Sequence, residues 1–297
     1  VRVDNIMAHA YQDPYDGYVL NSQFSDFNTD GTIGLHRKWG YTQLHASYFD
    51  MATGIVDGTR DSATGKMMQI WSYPDINGGA PFYELPTNQE STSYTPLVIN
   101  QRIRHTKLVW DNSFAVGRGS IKAIMSWQKN QRQENNDPTI PDISDIYYSL
   151  NSYTYDLRYE SPNKNNFNFA AGLSGMIQNS KNLGTLLLIP EYNSLSNGIF
   201  GIANKKIGNL TLSAGLRYDT RQFKGLDSWI DSTEAPVAPN TPGALHRFDG
   251  YTSNFSGVSG SVGGTYNFTD AIYTKLNVSR GFRAPNVAET GSNGIHD

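Results

Sequence analysis

The titratable residues best placed to bind a ligand lie in one stretch rich in Pro, Gly and Asp, residues 224–252. They are Asp227, Asp231, Glu234, His246 and Asp249. Carboxylates and an imidazole this close in sequence could bind a cation or another polar ligand. The simpler interpretation is that they are the solvated charges of a surface loop.

No residues elsewhere form a catalytic or metal-binding pattern. A nucleophile, a base and an orienting group do not occur together, so the sequence does not support an enzyme. The segment 26–31 resembles the start of a calcium loop, but Arg37 occupies the position that needs a bidentate Glu. His36, His45 and His105 fall within predicted strands, where we expect them to form hydrogen bonds. We therefore expect no resident metal and no cofactor.

Large aromatic residues and arginines in the irregular stretches are the second group of candidate ligand contacts, because such anchors often dominate binding. They are Trp71, Tyr73, Tyr83, Tyr94, Trp229 and Arg247. The irregular stretches that carry them are 54–96 and 224–252, and two further stretches of this kind are 133–148 and 179–190.

The elements that must position these residues are β-strands. Residues 210–219 alternate apolar and polar side chains with a period of two, which predicts a half-buried strand. About eleven segments show this pattern. They are joined alternately by tight turns near residues 39, 118, 163, 208 and 269 and by the long irregular stretches. We take residues 54–96 to be a loop without regular structure, since no period is sustained there.

Composition narrows the class of protein without deciding it. Of 297 residues, 17% are charged, 12% are aromatic and none is Cys, and the net charge is -3. This excludes a disulfide framework and gives no nucleic-acid footprint. No run of about 18 apolar residues predicts a membrane helix. A transmembrane β-barrel and a secreted β-sandwich both fit these values.

Charged residues on one face of the predicted strands separate these two folds. They are Lys122, Asp156, Arg158, Arg217, Asp219 and Lys275. In a sandwich they would lie in the core, where an unpaired charge costs several kcal/mol. A barrel wide enough to contain water or protein tolerates them. Aromatic residues near strand ends then fit interfacial belts, namely Trp39, Tyr41, Trp127, Tyr159, Tyr218, Tyr266 and Phe268.

A compact block follows the last predicted strand. It consists of Arg280, Gly281, Phe282, Arg283, Ala284, Pro285 and Asn286. Together with residues 16–22, 38–40, 189–192 and 215–219, it resembles the barrel of TonB-dependent receptors, the energised uptake proteins of the bacterial outer membrane. The resemblance implies a transmembrane barrel of about 22 strands with short periplasmic turns and long extracellular loops. Residues 1–297 would be part of that barrel, without the plug domain or the final strands.

The resemblance also implies a function. It is the uptake of a scarce ligand, with an iron-siderophore complex as the first expectation and a glycan, cobalamin or a metal ion as alternatives. The partners implied are the TonB-ExbB-ExbD complex, acting through the plug, and the lipid and lipopolysaccharide of the outer membrane. A passive porin or an adhesin remains the rival class. We expect the chain to be stable only with the remaining strands, because an open sheet leaves unpaired edges in lipid. Arg283, which strand parity places toward the lumen, is a further candidate ligand contact, and it is expected to pair with a carboxylate of the plug or of a neighbouring strand.

Overall fold

The computed structural model describes residues 1–72, 82–138 and 140–291, and these residues form 19 strands and two short helices. The strands are β1 (Arg2–Ala8), β2 (Gln12–Asp13), β3 (Gly17–Tyr18), β4 (Phe24–Arg37), β5 (Gly40–Gly54), β6 (Thr59–Arg60), β7 (Met67–Ser72), β8 (Phe82–Glu84), β9 (Asn100–Val116), β10 (Gly119–Asn135), β11 (Ile146–Glu160), β12 (Phe167–Asn182), β13 (Tyr192–Ile207), β14 (Leu210–Gly225), β15 (Ser228–Ile230), β16 (Pro236–Val237), β17 (Leu245–Phe248), β18 (Tyr251–Asn267) and β19 (Tyr273–Arg280). The helices are α1 (Asn88–Ser91) and α2 (Val287–Gly291).

Eleven strands form one antiparallel sheet in the order β1-β4-β5-β9-β10-β11-β12-β13-β14-β18-β19. Each strand pairs with the next main strand along the chain, and the sheet is not closed. The prediction of an all-β fold with about eleven antiparallel strands is confirmed. All tight turns lie at one end of this sheet, called here the turn end, and the long connections lie at the other, the loop end.

The two faces of the sheet differ in chemistry, as the alternation predicts. One face, called here the apolar face, exposes Leu44, Leu157, Leu173, Ile199, Leu216 and Val258. The register places these side chains on the same side across neighbouring strands. The opposite, polar face bears the charged residues predicted from strand parity.

Aromatic rings border the apolar face at two heights. Near the turn end, Trp39 stacks on Phe114 with ring centroids 5.6 Å apart, and Tyr266 lies 4.9 Å from Phe268. The second height is nearer the loop end and is formed by Tyr48, Trp127 and Tyr218. Each of them lies nine residues after the last residue of the tight turn that precedes its strand. Nine residues of a strand tilted by about 40° rise roughly 23 Å, which is close to the apolar band of outer-membrane barrels.

One predicted belt residue is placed differently. Tyr41 lies on the polar face, where its hydroxyl donates a hydrogen bond to Asp111 at 3.2 Å. The prediction took account of its position near a strand end but not of its parity. Tyr41 is therefore not part of an aromatic belt.

Strand length and loop content also differ from the prediction. Most strands continue past the last alternating apolar residue, as in β13, which begins at Tyr192 and not near Ile199. The stretch 54–96 was predicted to lack regular structure, and this is wrong, because it contains β6, β7, β8 and α1. No helix in the described parts of the chain is long and apolar enough to cross a membrane.

Candidate functional site

The loop end of the sheet carries two small structured clusters. The first cap comprises residues 9–23 and the described part of 55–99, with the β2–β3 hairpin, the β6–β7–β8 sheet and α1. The second cap comprises residues 183–191 and 226–250, with the β15–β16–β17 sheet. The candidate ligand contacts with described side chains, other than Arg283, divide between these caps.

The second cap has its own hydrophobic core. Leu187, Ile230 and Phe248 are each at most 7% exposed and pack together, which joins the loop before β13 to the loop before β18. Arg247 reinforces this junction, because its Nε donates a hydrogen bond to the Leu187 carbonyl at 3.3 Å. Arg247 thus connects two loops of the protein itself.

The outer face of the second cap presents an aromatic pair between carboxylates. The ring of Trp229 stacks on the imidazole of His246 with centroids 4.3 Å apart. Nε2 of His246 lies 3.3 Å from Asp227, and Nδ1 lies 3.1 Å from Asp249. The Gly250 N–H, with a smaller effect from His246, holds the pKa of Asp227 below its ordinary value. This surface can stack a planar or sugar ring and exchange hydrogen bonds with its polar groups.

Asp231, another acidic residue of this stretch, stabilises the loop itself. Asp231 accepts hydrogen bonds from the Thr233 hydroxyl at 2.6 Å and from the Thr233 and Ala235 N–H groups, which together lower its pKa. Within the described residues, no three His, Cys, Asp or Glu side chains are grouped so that they could hold a metal ion.

The first cap is held together around Asn21. This residue is 4% exposed and has a φ of 51°. Its Nδ2 donates to the carbonyls of Ile55 and Ile99, and its Oδ1 accepts from the Leu97 N–H at 2.9 Å. One side chain therefore fixes both ends of the long 55–99 connection to the base of the cap.

Aromatic residues cover the first cap. His9 contacts the rings of Tyr18 and Tyr94 at 5.9 and 6.1 Å, and Tyr94 is 51% exposed. Arg60 lies over the Tyr15 ring and makes a two-pronged ion pair with Asp16. Tyr and Arg at the surface of this cap give it a ligand-binding composition similar to that of the second cap.

The six predicted loop contacts do not form one site. Trp229 and Arg247 lie in the second cap, and Tyr94 lies in the first. Tyr83 lies in β8, opposite Ile70 of β7. Trp71 lies in β7, but its side chain and all of Tyr73 lie outside the described residues.

The Arg280–Asn286 block leaves the wall of the sheet. Beyond Arg280 the chain stops pairing with β18, and the Phe282 ring packs over Gly257 so closely that a Cβ there would lie 2.2 Å from it. Arg283 makes a two-pronged ion pair with Glu289, at 2.6 and 2.9 Å. Within the described residues its partner is therefore a residue six positions later, and the pairing with a carboxylate of the plug or of a neighbouring strand stays a prediction.

Glu289 is the centre of this segment. Besides Arg283, it receives the Asn286 N–H at 2.8 Å, while the Asn286 side chain accepts the Glu289 N–H at 3.0 Å. The ion pair, followed by this backbone donor, lowers the pKa of Glu289 to about 2. The block therefore forms a capped helical turn beside β18, to which the Tyr251–Thr290 hydroxyl contact of 3.0 Å ties it.

Ion pairs fill the polar face nearer the turn end. Glu160 accepts from Lys122 at 3.1 Å and from Arg158 at 3.0 Å. Arg217 pairs with Asp219 at 2.7 Å and donates to Ser174 at 3.0 Å. Each pair is half-exposed and stabilises the fold by only about 0–1 kcal/mol. Their collective effect is to make this face hydrophilic.

Two open concavities adjoin these ion pairs, with volumes of about 490 and 340 Å³. Asp156 and Arg217 line both. Parity places Lys122, Arg158, Glu160 and Arg217 on this face from the sequence alone. The contacts between strands, Lys122 with Glu160 and Arg217 with Ser174, require the strand register, which for example places Lys122 opposite Arg158.

The sequence and the fold are similar to those of known proteins. The family model described as "TonB dependent receptor-like, beta-barrel" matches residues 5–296. A search of curated proteins found no match. Among solved structures, the FrpB iron transporter of Neisseria meningitidis (F5-1 variant) has a TM-score of 0.63 at 12% identity, covering 96% of this chain and 41% of its own.

Two further structures are similar. The hemophore receptor HasR of Serratia marcescens, solved with its hemophore HasA and heme, has a TM-score of 0.61 at 12% identity, covering 98% of this chain and 42% of its own. The copper transporter OprC has a TM-score of 0.63 at 14% identity, covering 96% and 42%. The chain thus spans less than half the length of these proteins, and at such identities the likeness concerns the fold.

Proposed function

Because the chain belongs to the TonB-dependent receptor β-barrel family, we propose that it forms part of the wall of an outer-membrane barrel that imports a scarce ligand. Import is active and driven by the TonB-ExbB-ExbD complex through a plug domain. The apolar face of the sheet contacts lipid, the polar face lines the lumen, and the loop end faces the outside of the cell.

The observation that carries this proposal is the two-faced sheet with its aromatic borders. A soluble two-sheet protein would bury the side chains of the apolar face, such as Leu44 and Val258. Here these side chains are exposed between two aromatic belts. Exposed apolar area on that scale marks a contact surface. A lipid bilayer is the partner that fits a band roughly 23 Å high with a polar face behind it.

The two caps are the proposed first contacts for the ligand. They project from the loop end and present Trp229 with His246 on one side and Tyr94 with His9 on the other. The proposed ligand class is an iron-siderophore complex. Heme, copper, a glycan and cobalamin are the alternative ligands, and the uptake experiment described next can be repeated with each of them. The similar structures bear names that include iron, heme and copper, so this wall architecture serves several ligands.

Uptake by cells that carry the complete gene tests this proposal. Under iron limitation, deletion of the gene should abolish accumulation of radiolabelled iron supplied as the cognate siderophore, and a strain without TonB should show the same defect. Restoration of the gene should restore uptake. Uptake that persists without TonB would identify a passive barrel and contradict the proposal.

A variant of the second cap tests the ligand contact. Trp229→Ala removes the stacking platform while leaving Ile230 and Phe248 in the core, so ligand affinity should fall about 10-fold or more. Trp39→Ala, the same change at the turn end, is the matched control and should leave affinity unchanged. Equal affinity of both variants would place the ligand elsewhere.

A further inference from the structure

Acidic residues are concentrated at the loop end of the sheet. The described part of the first cap contains six acidic residues and two basic ones, Arg60 and Lys66. The second cap contains five acidic residues and one basic residue, Arg247. The connection 136–145 adds three acidic residues and no basic one. These parts of the chain therefore carry fourteen acidic and three basic residues, whereas the whole chain has 27 and 24.

The opposite end of the sheet has the opposite charge. The tight turns between the strands contain Lys38, Arg118 and Lys164, against Asp270 as their acidic residue. An excess of acidic residues is thus not a general property of the connections in this protein. It is confined to the end where the two caps project.

Neutral donors hold several of the carboxylates of the caps. Asp61 and Asp231 each accept hydrogen bonds from a threonine hydroxyl and from two backbone N–H groups. Such donors fix a carboxylate in place without cancelling its charge. Asp16 differs, since it pairs with Arg60. The loop end therefore keeps a negative field, which attracts cations over about 8 Å at physiological salt and raises their association rate.

The stack of Trp229 on His246 combines this charge with an aromatic surface. The side chains of Asp227 and Asp249 flank the stack and are 65% and 93% exposed. Oδ1 of each carboxylate faces the imidazole, and Oδ1 of Asp227 also accepts the Gly250 N–H at 2.9 Å. The Oδ2 atoms take no part in these contacts. Carboxylate oxygens beside an aromatic ring match an organic cation, which can pair with the oxygens and lie against the ring.

We infer that the loop end selects a ligand with net positive charge, and that Asp227 and Asp249 receive its cationic group beside Trp229. The inference rests on the import function proposed above and narrows its ligand class. An iron chelate that carries an ammonium or guanidinium group fits this surface, whereas a strongly anionic chelate is repelled. The two carboxylates hold the cation by charge-assisted hydrogen bonds, and the other acidic residues of the caps speed its arrival.

Two ferric chelates that differ by one charge test this inference. One is the ferric complex of a linear trihydroxamate with a free primary amine, which is positively charged. The other is the same complex with its amine acetylated, which is neutral. The complete receptor, purified in detergent, should bind the amine complex about 10-fold or more tightly than the acetylated complex. Raising the salt concentration from about 0.05 M to about 0.5 M should slow association of the amine complex alone.

A charge-neutral variant tests the two carboxylates. The double variant Asp227→Asn, Asp249→Asn keeps both Oδ1 acceptors and removes both charges. It should bind the amine complex about 10-fold or more weakly, mainly through faster dissociation, and bind the acetylated complex as before. Asp231→Asn is the matched control, because the three hydrogen bonds of Asp231 all go to Oδ1 and survive the change. It should leave the dissociation rate of the amine complex unchanged.

The outcomes separate this inference from the import function on which it rests. Equal affinity for the two chelates, no binding of the amine complex, or an unaffected double variant would each overturn the inference. Uptake of the same chelates by cells is measured with and without TonB. TonB-dependent uptake that does not distinguish the two chelates refutes the charge selection alone. Uptake that continues without TonB contradicts the proposed import function.

Discussion

Asn21 is the residue whose replacement should most clearly loosen the first cap. Its side chain makes three hydrogen bonds to backbone groups that lie 34 to 78 positions away along the chain. Its backbone has a φ of 51°, and a Cβ added at Gly54 would lie only 2.1 Å from the Asn21 carbonyl oxygen.

The local stability lost when Asn21 is replaced follows from these contacts. Three buried hydrogen bonds contribute about 1 kcal/mol each, so Asn21→Gly, which tolerates the positive φ, should lose about 3 kcal/mol of local stability. Asn21→Ala loses the same bonds and adds about 1 kcal/mol for a left-handed backbone. These values correspond to a roughly 140-fold and a roughly 700-fold increase in local opening, at about 1.4 kcal/mol for each factor of ten.

Hydrogen exchange of the complete receptor measures this opening directly, because exchange rates report the free energy of local unfolding. The informative amides are those of Gly54, Ile55 and Leu97, which donate to Gln23, Ile99 and Asn21 respectively. They should exchange faster in both variants, and most in Asn21→Ala.

An exposed asparagine provides the control. Asn165 has a φ of 54° and makes no side-chain hydrogen bond with the described residues. Asn165→Ala should speed exchange about 5-fold around its own turn and leave the first cap unchanged. Exchange in Asn21→Gly at the rates of the unmodified protein would show that the three hydrogen bonds do not hold the cap closed. Equal rates in Asn21→Gly and Asn21→Ala would show that the positive φ carries no cost.

Three other predictions follow from single positions. Gly40→Ala should prevent or severely weaken assembly, because the φ of Gly40 is 130° and a Cβ there would lie 1.8 Å from the Ser113 carbonyl oxygen. Heat-modifiable migration on gels measures assembly. Gly117→Ala is the control, since Gly117 has a φ of 59° with open space around it, and the change should lower stability by only about 1 kcal/mol. Gly257→Ala should displace the Phe282 ring and expose the segment after it to protease, and unchanged cleavage would contradict the packing. The depressed pKa of Glu289 means that its ion pair stabilises the segment fully above its ordinary pKa of 4.5 and is lost as the pH falls towards about 2. A carbon-13 NMR titration should show the pKa of this carboxyl rising towards 4.5 when Arg283 is replaced by glutamine, while the remaining Asn286 N–H donor keeps it below that value.

The sequence predicts the parts of the wall that alternate between lipid and water. The alternation of residues 210–219 places Leu216 and Arg217 on opposite faces, and the structure has them so. Tight turns are equally readable, because residues such as Gly117 and Gly208, with φ near 60°, mark them. Strand number and the polar face could therefore be predicted without coordinates.

The upper parts of the strands could not be predicted in the same way. Above the belt both faces are polar, so the alternation stops although the backbone pairing continues. β13 illustrates this, since Asn193 and Ser194 give no contrast between faces but are fully paired in the ladder. Hydrogen bonding of the backbone, which leaves no signal in side-chain type, extends the sheet there.

The caps were missed for a different reason. Their strands have two to six residues, too few to show a period, and their stability depends on contacts between distant segments. Asn21 reads as an ordinary turn residue in the sequence, and only the fold reveals that it joins Ile55, Leu97 and Ile99. Arg247 was assigned to a ligand by its type, but its Nε contacts the Leu187 carbonyl.

Strand parity shows on which face of the sheet a side chain lies, and position along the strand shows how far it lies from the aromatic belt. Parity alone places Trp127 and Lys129 on the same face and would put a lysine in lipid, at a cost of about 2–4 kcal/mol near the midplane. Two residues further along a tilted strand is roughly 5 Å higher, however, and the same step separates Leu108 from Thr106 and Tyr153 from Asn151. Three adjacent strands change from apolar to polar at one step, which places the upper border of the apolar band there to within about 5 Å. A cation on the outward face is therefore costly below that step and suited to anionic head groups above it.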